Sequence, residues 1–167
     1  MNLQALPEEA LKEILALTEA KKRLDLQEEA QNLFMPFAHH VYENFIEGRH
    51  HRVIAEKLER VARGELKRLI INMPPRHSKS EFASFLMPAW FLGRNPKLKI
   101  IQATHNTELA VRFGRKVRDL IDDPAYKEIF PDTHLKEDNK GAGKWQTSSG
   151  GEYFAAGVGA AVTGRGA

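Results

Sequence analysis

Leu69-Ile70-Ile71 is a short, wholly apolar run between polar residues, the length of a buried strand rather than of a helix. Before it, apolar residues recur at helical spacing. Leu11, Ile14 and Leu15 share a face of a helix predicted from residue 7 to about residue 33. Pro7 suits its first position, and Glu8 and Glu9 suit the positive end of its dipole. Met35-Pro36-Phe37 breaks the pattern, and a second helix is predicted from Phe37 to Phe45, ending near Gly48. A third, Arg49 to Arg63, turns Ile54, Leu58 and Val61 inward and stops at Gly64.

After the apolar run, Lys79-Ser80 opens another helix, with Phe82, Phe85, Leu86 and Ala89 in one stripe. Pro88 removes the bond to Ser84 and should kink or end it. Gly93 to Pro96 reads as a turn, and Leu98 to Ile101 as a second strand. Thr104-His105-Asn106 follows, at the edge where open parallel sheets face their ligands, although Asn106 equally suits a helix cap. From Thr107 to Ile121, Leu109, Phe113, Val117, Leu120 and Ile121 make a core face. Asp122-Asp123 reads as the end of that helix. An acidic strand would need its own apolar residues, and Leu120 and Ile121 already belong to the helical stripe. Residues 136 to 144 are polar and read as a surface loop. Trp145–Thr147 and Glu152–Ala156 flank Ser148-Ser149-Gly150-Gly151 as a β-hairpin, and a glycine-rich tail closes the chain.

Composition narrows this only a little. With 167 residues there is room for one domain with a sizeable core. Lys and Arg number 25 against 22 acidic residues, a mild excess that permits a polyanionic partner without requiring one. There is no Cys, which excludes disulfides and thiolate metal sites and suits a reducing cytoplasm. The most apolar stretch, Phe82 to Gly93, is shorter than the roughly 20 residues of a membrane helix and contains Pro88. The N-terminus lacks the basic region of a signal peptide. The adjacent pairs His39-His40 and His50-His51 are poor metal ligands, because neighbours on a helix point apart and no third ligand is evident.

The chemistry concentrates at residues 68–80. Strand, tight loop, Lys-Ser and helix is the layout of a phosphate-binding P-loop. Loop N–H groups and a helix N-terminus face the anionic oxygens, Lys79 adds a full positive charge, and the Ser80 hydroxyl suits a nucleotide-bound magnesium ion. The glycine positions of G-x-x-x-x-G-K-[ST] hold Met73 and Ser78, and Pro74 and Pro75 have no N–H to offer. The donors left are Arg76, His77, Ser78, Lys79 and Ser80. An ordinary strand-to-helix turn with Ser80 as N-cap is the other reading.

Residues 68–81 (RLIINMPPRHSKSE) closely resemble the ATPase motor of the large terminase subunit of tailed bacteriophages. Residues 99–110 (KIIQATHNTELA), 113–120 (FGRKVRDL) and 157–166 (GVGAAVTGRG) agree with it in the same order. The resemblance spans roughly residues 34 to 167, and its main departure is Ser78 where the family has Gly. It implies a partial RecA-like P-loop NTPase, a three-layer α/β/α fold, with an N-terminal helical region over residues 1–64 and the first part of the ATPase domain over residues 65–167.

The implied activity is hydrolysis of ATP with Mg2+ to drive double-stranded DNA into a prohead. Lys79 would contact the β- and γ-phosphates, Ser80 the magnesium, and the backbone of Arg76, His77 and Ser78 the remaining oxygens, with Arg76 adding charge at the γ-phosphate. The aromatic-proline segment upstream makes Phe37 and His40 candidates for contact with the base. Implied partners are the terminase small subunit, the portal of the prohead and further copies in a ring, in the host cytoplasm and away from membranes. Gly157–Gly166 would lead into the acidic magnesium-binding strand, so the catalytic carboxylates and the nuclease domain are expected beyond Ala167, and this chain alone is expected to be inactive. The alternatives are another P-loop ATPase or helicase-like translocase, or a non-catalytic nucleic-acid-binding module. Basic residues on Arg49–Arg63, and Arg112, Arg115 and Lys116, would serve the last, or would simply be a solvated face.

Overall fold

The computed structural model describes residues 7–159. Three helices come first: α1 (Glu8–Asn32), α2 (Phe34–Val41) and α3 (Arg49–Ala62). Next come a π-helical segment, Glu81–Leu86, and α4 (Met87–Arg94). The remainder is β1 (Lys99–Thr104), α5 (Thr107–Asp122), α6 (Pro124–Ile129), β2 (Leu135–Lys140), β3 (Lys144–Thr147) and β4 (Glu152–Gly157). The expected α/β class holds, as a four-stranded mixed sheet in the order β1-β4-β3-β2.

β1 and β4 run parallel, with Lys99 opposite Glu152 and Thr104 opposite Gly157. β3 and β4 form the expected hairpin, with Trp145 opposite Tyr153. These two rings stack at 4.8 Å, 3° from parallel, and the Tyr153 hydroxyl donates to Gln102 Oε1 at 2.7 Å. α5 packs on β1 and β4. Its approach is close at Gly114, whose carbonyl accepts from Trp145 Nε1 at 3.0 Å. Burial raises the Tyr153 and Tyr126 hydroxyls well above the ordinary tyrosine value, so both stay protonated donors.

One core runs across the whole described chain, from Ala30 on α1 to Trp145 and Tyr153 in the sheet. Aromatic rings join its parts. Phe34 meets Phe82 at 5.3 Å and Trp90 at 5.5 Å, both edge-on, while Phe37 lies 5.9 Å from Phe130. Two of its buried polar tips are satisfied by backbone carbonyls: Trp90 Nε1 donates to Ala30 O, and the Tyr126 hydroxyl to Ala89 O.

Several boundaries differ from the expectation. Pro7 is the N-cap of α1 rather than its first residue. α2 starts at Phe34, so Pro36 lies inside its first turn, where a missing N–H costs no helical bond. Phe45 falls outside it. Gly64 ends α3 as anticipated, at φ +76°, with Glu65 N–H bonding Arg60 O and Gly64 N–H bonding Val61 O, the Schellman pair. Pro88 ends nothing. A wide turn, in which Met87 N–H reaches back to Phe82 O, precedes it, and Pro88 then sits at the start of α4. Asp122 and Asp123 do mark the end of α5, and Asp123 caps α6 by accepting from Ala125 N–H at 2.8 Å.

Two strand expectations fail. Leu69-Ile70-Ile71 is extended but forms no strand, because no ladder partner lies beside it among the described residues. Leu69 and Ile71 pack against the core, whereas Ile70 is 84% exposed. Conversely the polar stretch around residue 136 is β2, not a loop, paired antiparallel to β3 at the sheet edge.

Candidate phosphate loop

The chain leaves the extended segment at Pro74, turns at Pro75-Arg76, bends at His77-Ser78 and enters helix at Lys79. Arg76 and Ser78 adopt positive φ, +65° and +56°. Left-handed residues in such a turn curl successive N–H groups toward one concave side, the geometry of an anion nest. Ser78 O receives the first helical bond, from Phe82 N–H at 2.9 Å. The N–H groups of residues 76 to 81 have no acceptor among the described residues. The two prolines stiffen the approach and donate nothing.

The five residues singled out from the sequence are therefore contiguous around one turn. Arg76, His77, Lys79 and Ser80 are exposed and Ser78 is half-buried. Neither Arg76 nor Lys79 is ion-paired among the described residues. His77 Nδ1 lies 2.9 Å from Pro75 O, and since a carbonyl only accepts, that nitrogen carries the proton. The Ser80 hydroxyl, exposed in the first helical turn, suits a magnesium ion, which takes one or two protein oxygens beside phosphate and water.

Glu81, the next residue, faces away from this role. Lys116 Nζ of α5 donates to both its carboxylate oxygens, at 2.8 and 3.1 Å, and also lies 4.5 Å over the Phe85 ring. Lys116 is thus withdrawn from the basic trio on α5, leaving Arg112 and Arg115 exposed. Asp122 pairs with Lys127 at 2.6 Å, so both aspartates at that helix end hold structural bonds.

A histidine group beside the loop was not legible in the sequence as such. Gly48 N–H donates to His51 Nδ1 at 2.8 Å, the half of a capping box in which the third helical residue reaches back to the cap, here with His in place of Glu or Gln. His51 is 5% exposed, its ring 3.9 Å from that of His50, which is 5.8 Å from the ring of His77. Burial above all, then the proximity of His50, holds His51 below the ordinary histidine value, against a smaller opposing pull from Glu47. The spacing Gly48-x-x-His51 ahead of an apolar-periodic helix was the available signal.

Of the two candidates for contact with a base, Phe37 is not available to a ligand. Phe37 is wholly buried among Phe34, Tyr126 and Phe130, and presents no face to a ligand. His40 Nε2 lies 3.2 Å from Glu128 on α6. The apolar opening contiguous with the loop is a groove of about 580 Å3 between α3 and residues 69–73, with Val53, Ile71 and Met73 in its wall and Arg49 and Lys57 at its margin. Thr104, at the end of β1, donates to Asn106 O at 2.6 Å, and Asn106 caps α5, accepting from Leu109 N–H at 2.8 Å. The segment Thr163–Gly166 lies outside the described residues. No helix among the described residues is long and apolar enough to cross a membrane. No protein-family model matches the chain, and no curated protein or solved structure matches it either.

Proposed function

We propose that the chain binds ATP–magnesium through residues 76–80 and is the nucleotide-binding portion of a phage terminase large subunit, the motor that moves DNA into a prohead. The observation that carries the phosphate site is the loop itself. Six consecutive N–H groups without acceptors among the described residues surround a turn with two left-handed residues, beside an unpaired lysine and a helix N-terminus. A bound anion would supply acceptors for these donors. The motor assignment rests on the four sequence stretches given above, and the partners, RecA-like topology and ring assembly come with it.

In this reading the residues do separate work. Lys79 lays its ammonium along the β- and γ-phosphates, and Arg76 adds charge at the outer oxygens. The N–H groups of Arg76, His77 and Ser78 fix the phosphate chain, and the Ser80 hydroxyl holds the magnesium in place. Magnesium, when bound, neutralises charge on the phosphate oxygens. The groove between α3 and residues 69–73 supplies an apolar wall against which a base can lie. Calorimetric titration with ATP–Mg2+ tests the assignment. A charge-assisted lysine–phosphate bond is worth about 1.5–3 kcal/mol, so Lys79→Ala should weaken binding about tenfold or more. Equal affinity in the two proteins would overturn it.

A further inference from the structure

Glu81 sets a problem for the loop it follows. It places a carboxylate one residue beyond Ser80, in the first turn of the helix whose N-terminus faces the phosphate site. A negative charge there stabilises the bare helix but opposes any anion bound at the same end. Lys116 removes the conflict. It reaches from the middle of α5 to hold both Glu81 oxygens, at 2.8 and 3.1 Å, while the same ammonium lies 4.5 Å over the Phe85 ring. Both side chains are about one-third exposed, so the pair is incompletely screened by water.

Resting on the phosphate-loop reading above, we infer that the Glu81–Lys116 pair tunes that site: Lys116 is a positioning residue that neutralises Glu81 and so preserves the positive field at residues 76–80. α5 also packs against β1 and β4. The charge at the loop is therefore tied to the seating of a helix that spans the sheet. A shift of α5 that withdraws Lys116 would uncover the carboxylate and loosen the bound anion.

The pair makes an unusual claim on signs, which separates electrostatic tuning from plain structural support. Lys116→Met replaces the ammonium over Phe85 with a thioether that packs on the same ring and leaves Glu81 charged, so it should weaken binding of ATP–Mg2+ about threefold to tenfold. Glu81→Gln leaves Lys116 charged beside the loop, so it should strengthen binding about twofold to threefold. The double variant is neutral again and should return to within about twofold of the parent. Titration of the whole chain and each variant with ATP–Mg2+ and with inorganic pyrophosphate reads this, and circular dichroism confirms that each is folded. Singles that both weaken binding, or that leave it unchanged while Lys79→Ala abolishes it, would overturn the inference and keep the phosphate loop. If Lys79→Ala and the pair variants all bind like the parent, the loop reading and the inference both fall.

Discussion

His51 lies against Phe82 with ring centroids 4.9 Å apart and planes 24° from parallel, so the first turn of α3 rests on the helix that opens at the phosphate loop. The contact joins a titratable ring to the hydrophobic core. Its partner nitrogen bond to Gly48 orders the entry to α3, and its neighbour His50 touches the loop through His77.

This arrangement should make the fold acid-sensitive near neutrality. The folded-state pKa of His51 lies below its ordinary 6.5. The unfolded chain therefore takes up the proton first, and the stability contributed by neutral His51 is complete above that value. It is lost as pH falls from there through the folded pKa. Urea melts of the parent should show a midpoint that drops between pH 7.5 and pH 5.5, and His51→Phe should flatten that dependence. At pH 7.5 the variant should cost about 1 kcal/mol for the unmet Gly48 N–H. Identical pH profiles would remove His51 from the explanation.

Ser78 holds φ +56°, where a side chain is strained. Relief of that strain is worth about 1–2 kcal/mol, against about 0.5–1 kcal/mol for the extra freedom glycine gives the unfolded chain. Ser78→Gly should therefore raise stability by up to about 1 kcal/mol, with nucleotide affinity kept or improved. A lower urea midpoint would contradict the strain.

Gly114 invites the opposite substitution and should refuse it. Alanine improves helix propensity by about 1 kcal/mol. A Cβ there, however, would come 2.6 Å from Ala142 O and 3.0 Å from the Tyr153 ring. A backbone carbonyl cannot step aside as a long side chain can, and overpacking typically costs about 1–3 kcal/mol. Thermal denaturation of Gly114→Ala should show net destabilisation, with the Trp145 fluorescence altered because α5 and β3 separate.

Asp123 separates structural from catalytic carboxylates. As the N-cap of α6, its replacement by alanine should cost about 1 kcal/mol of stability. The proposed function gives it no part in ATP chemistry, and the purified chain should release phosphate at a negligible rate with or without it. Magnesium-dependent turnover near ~1 per second, abolished by Asp123→Asn or Asp122→Asn, would make this helix end a catalytic centre instead.

The long helices were legible because their apolar faces repeat over several turns: Ile54 and Leu58 on α3, Val117, Leu120 and Ile121 on α5. The β3–β4 hairpin announced itself through its turn residues. Leu69–Ile71 misled because an apolar run states that residues are buried, not that a neighbouring strand exists to bond them. β2 was hidden by its position: an edge strand facing solvent is written in polar residues, as loops are. At the candidate site, the run Arg76 to Ser80 was visible from chemistry alone, but the left-handed backbone at Arg76 has no residue signature, and the histidine contacts arise only when α3 meets the loop.

The π-helical turn between Glu81 and Leu86 also sets how the chain tolerates change in length. Winding five residues apart instead of four takes up one extra residue before α4 begins. Deleting one residue there would let the segment relax into ordinary helix and leave α4 facing as it does, whereas a deletion in the regular first turn of α4 would rotate the residues after it by about 100°. In that second case Trp90 would swing away from Ala30, and Leu92 would leave the core. The wide turn is therefore where this stretch can best lose a residue, while a single-residue gap in the first turn of α4 is as damaging as the loss of a core aromatic.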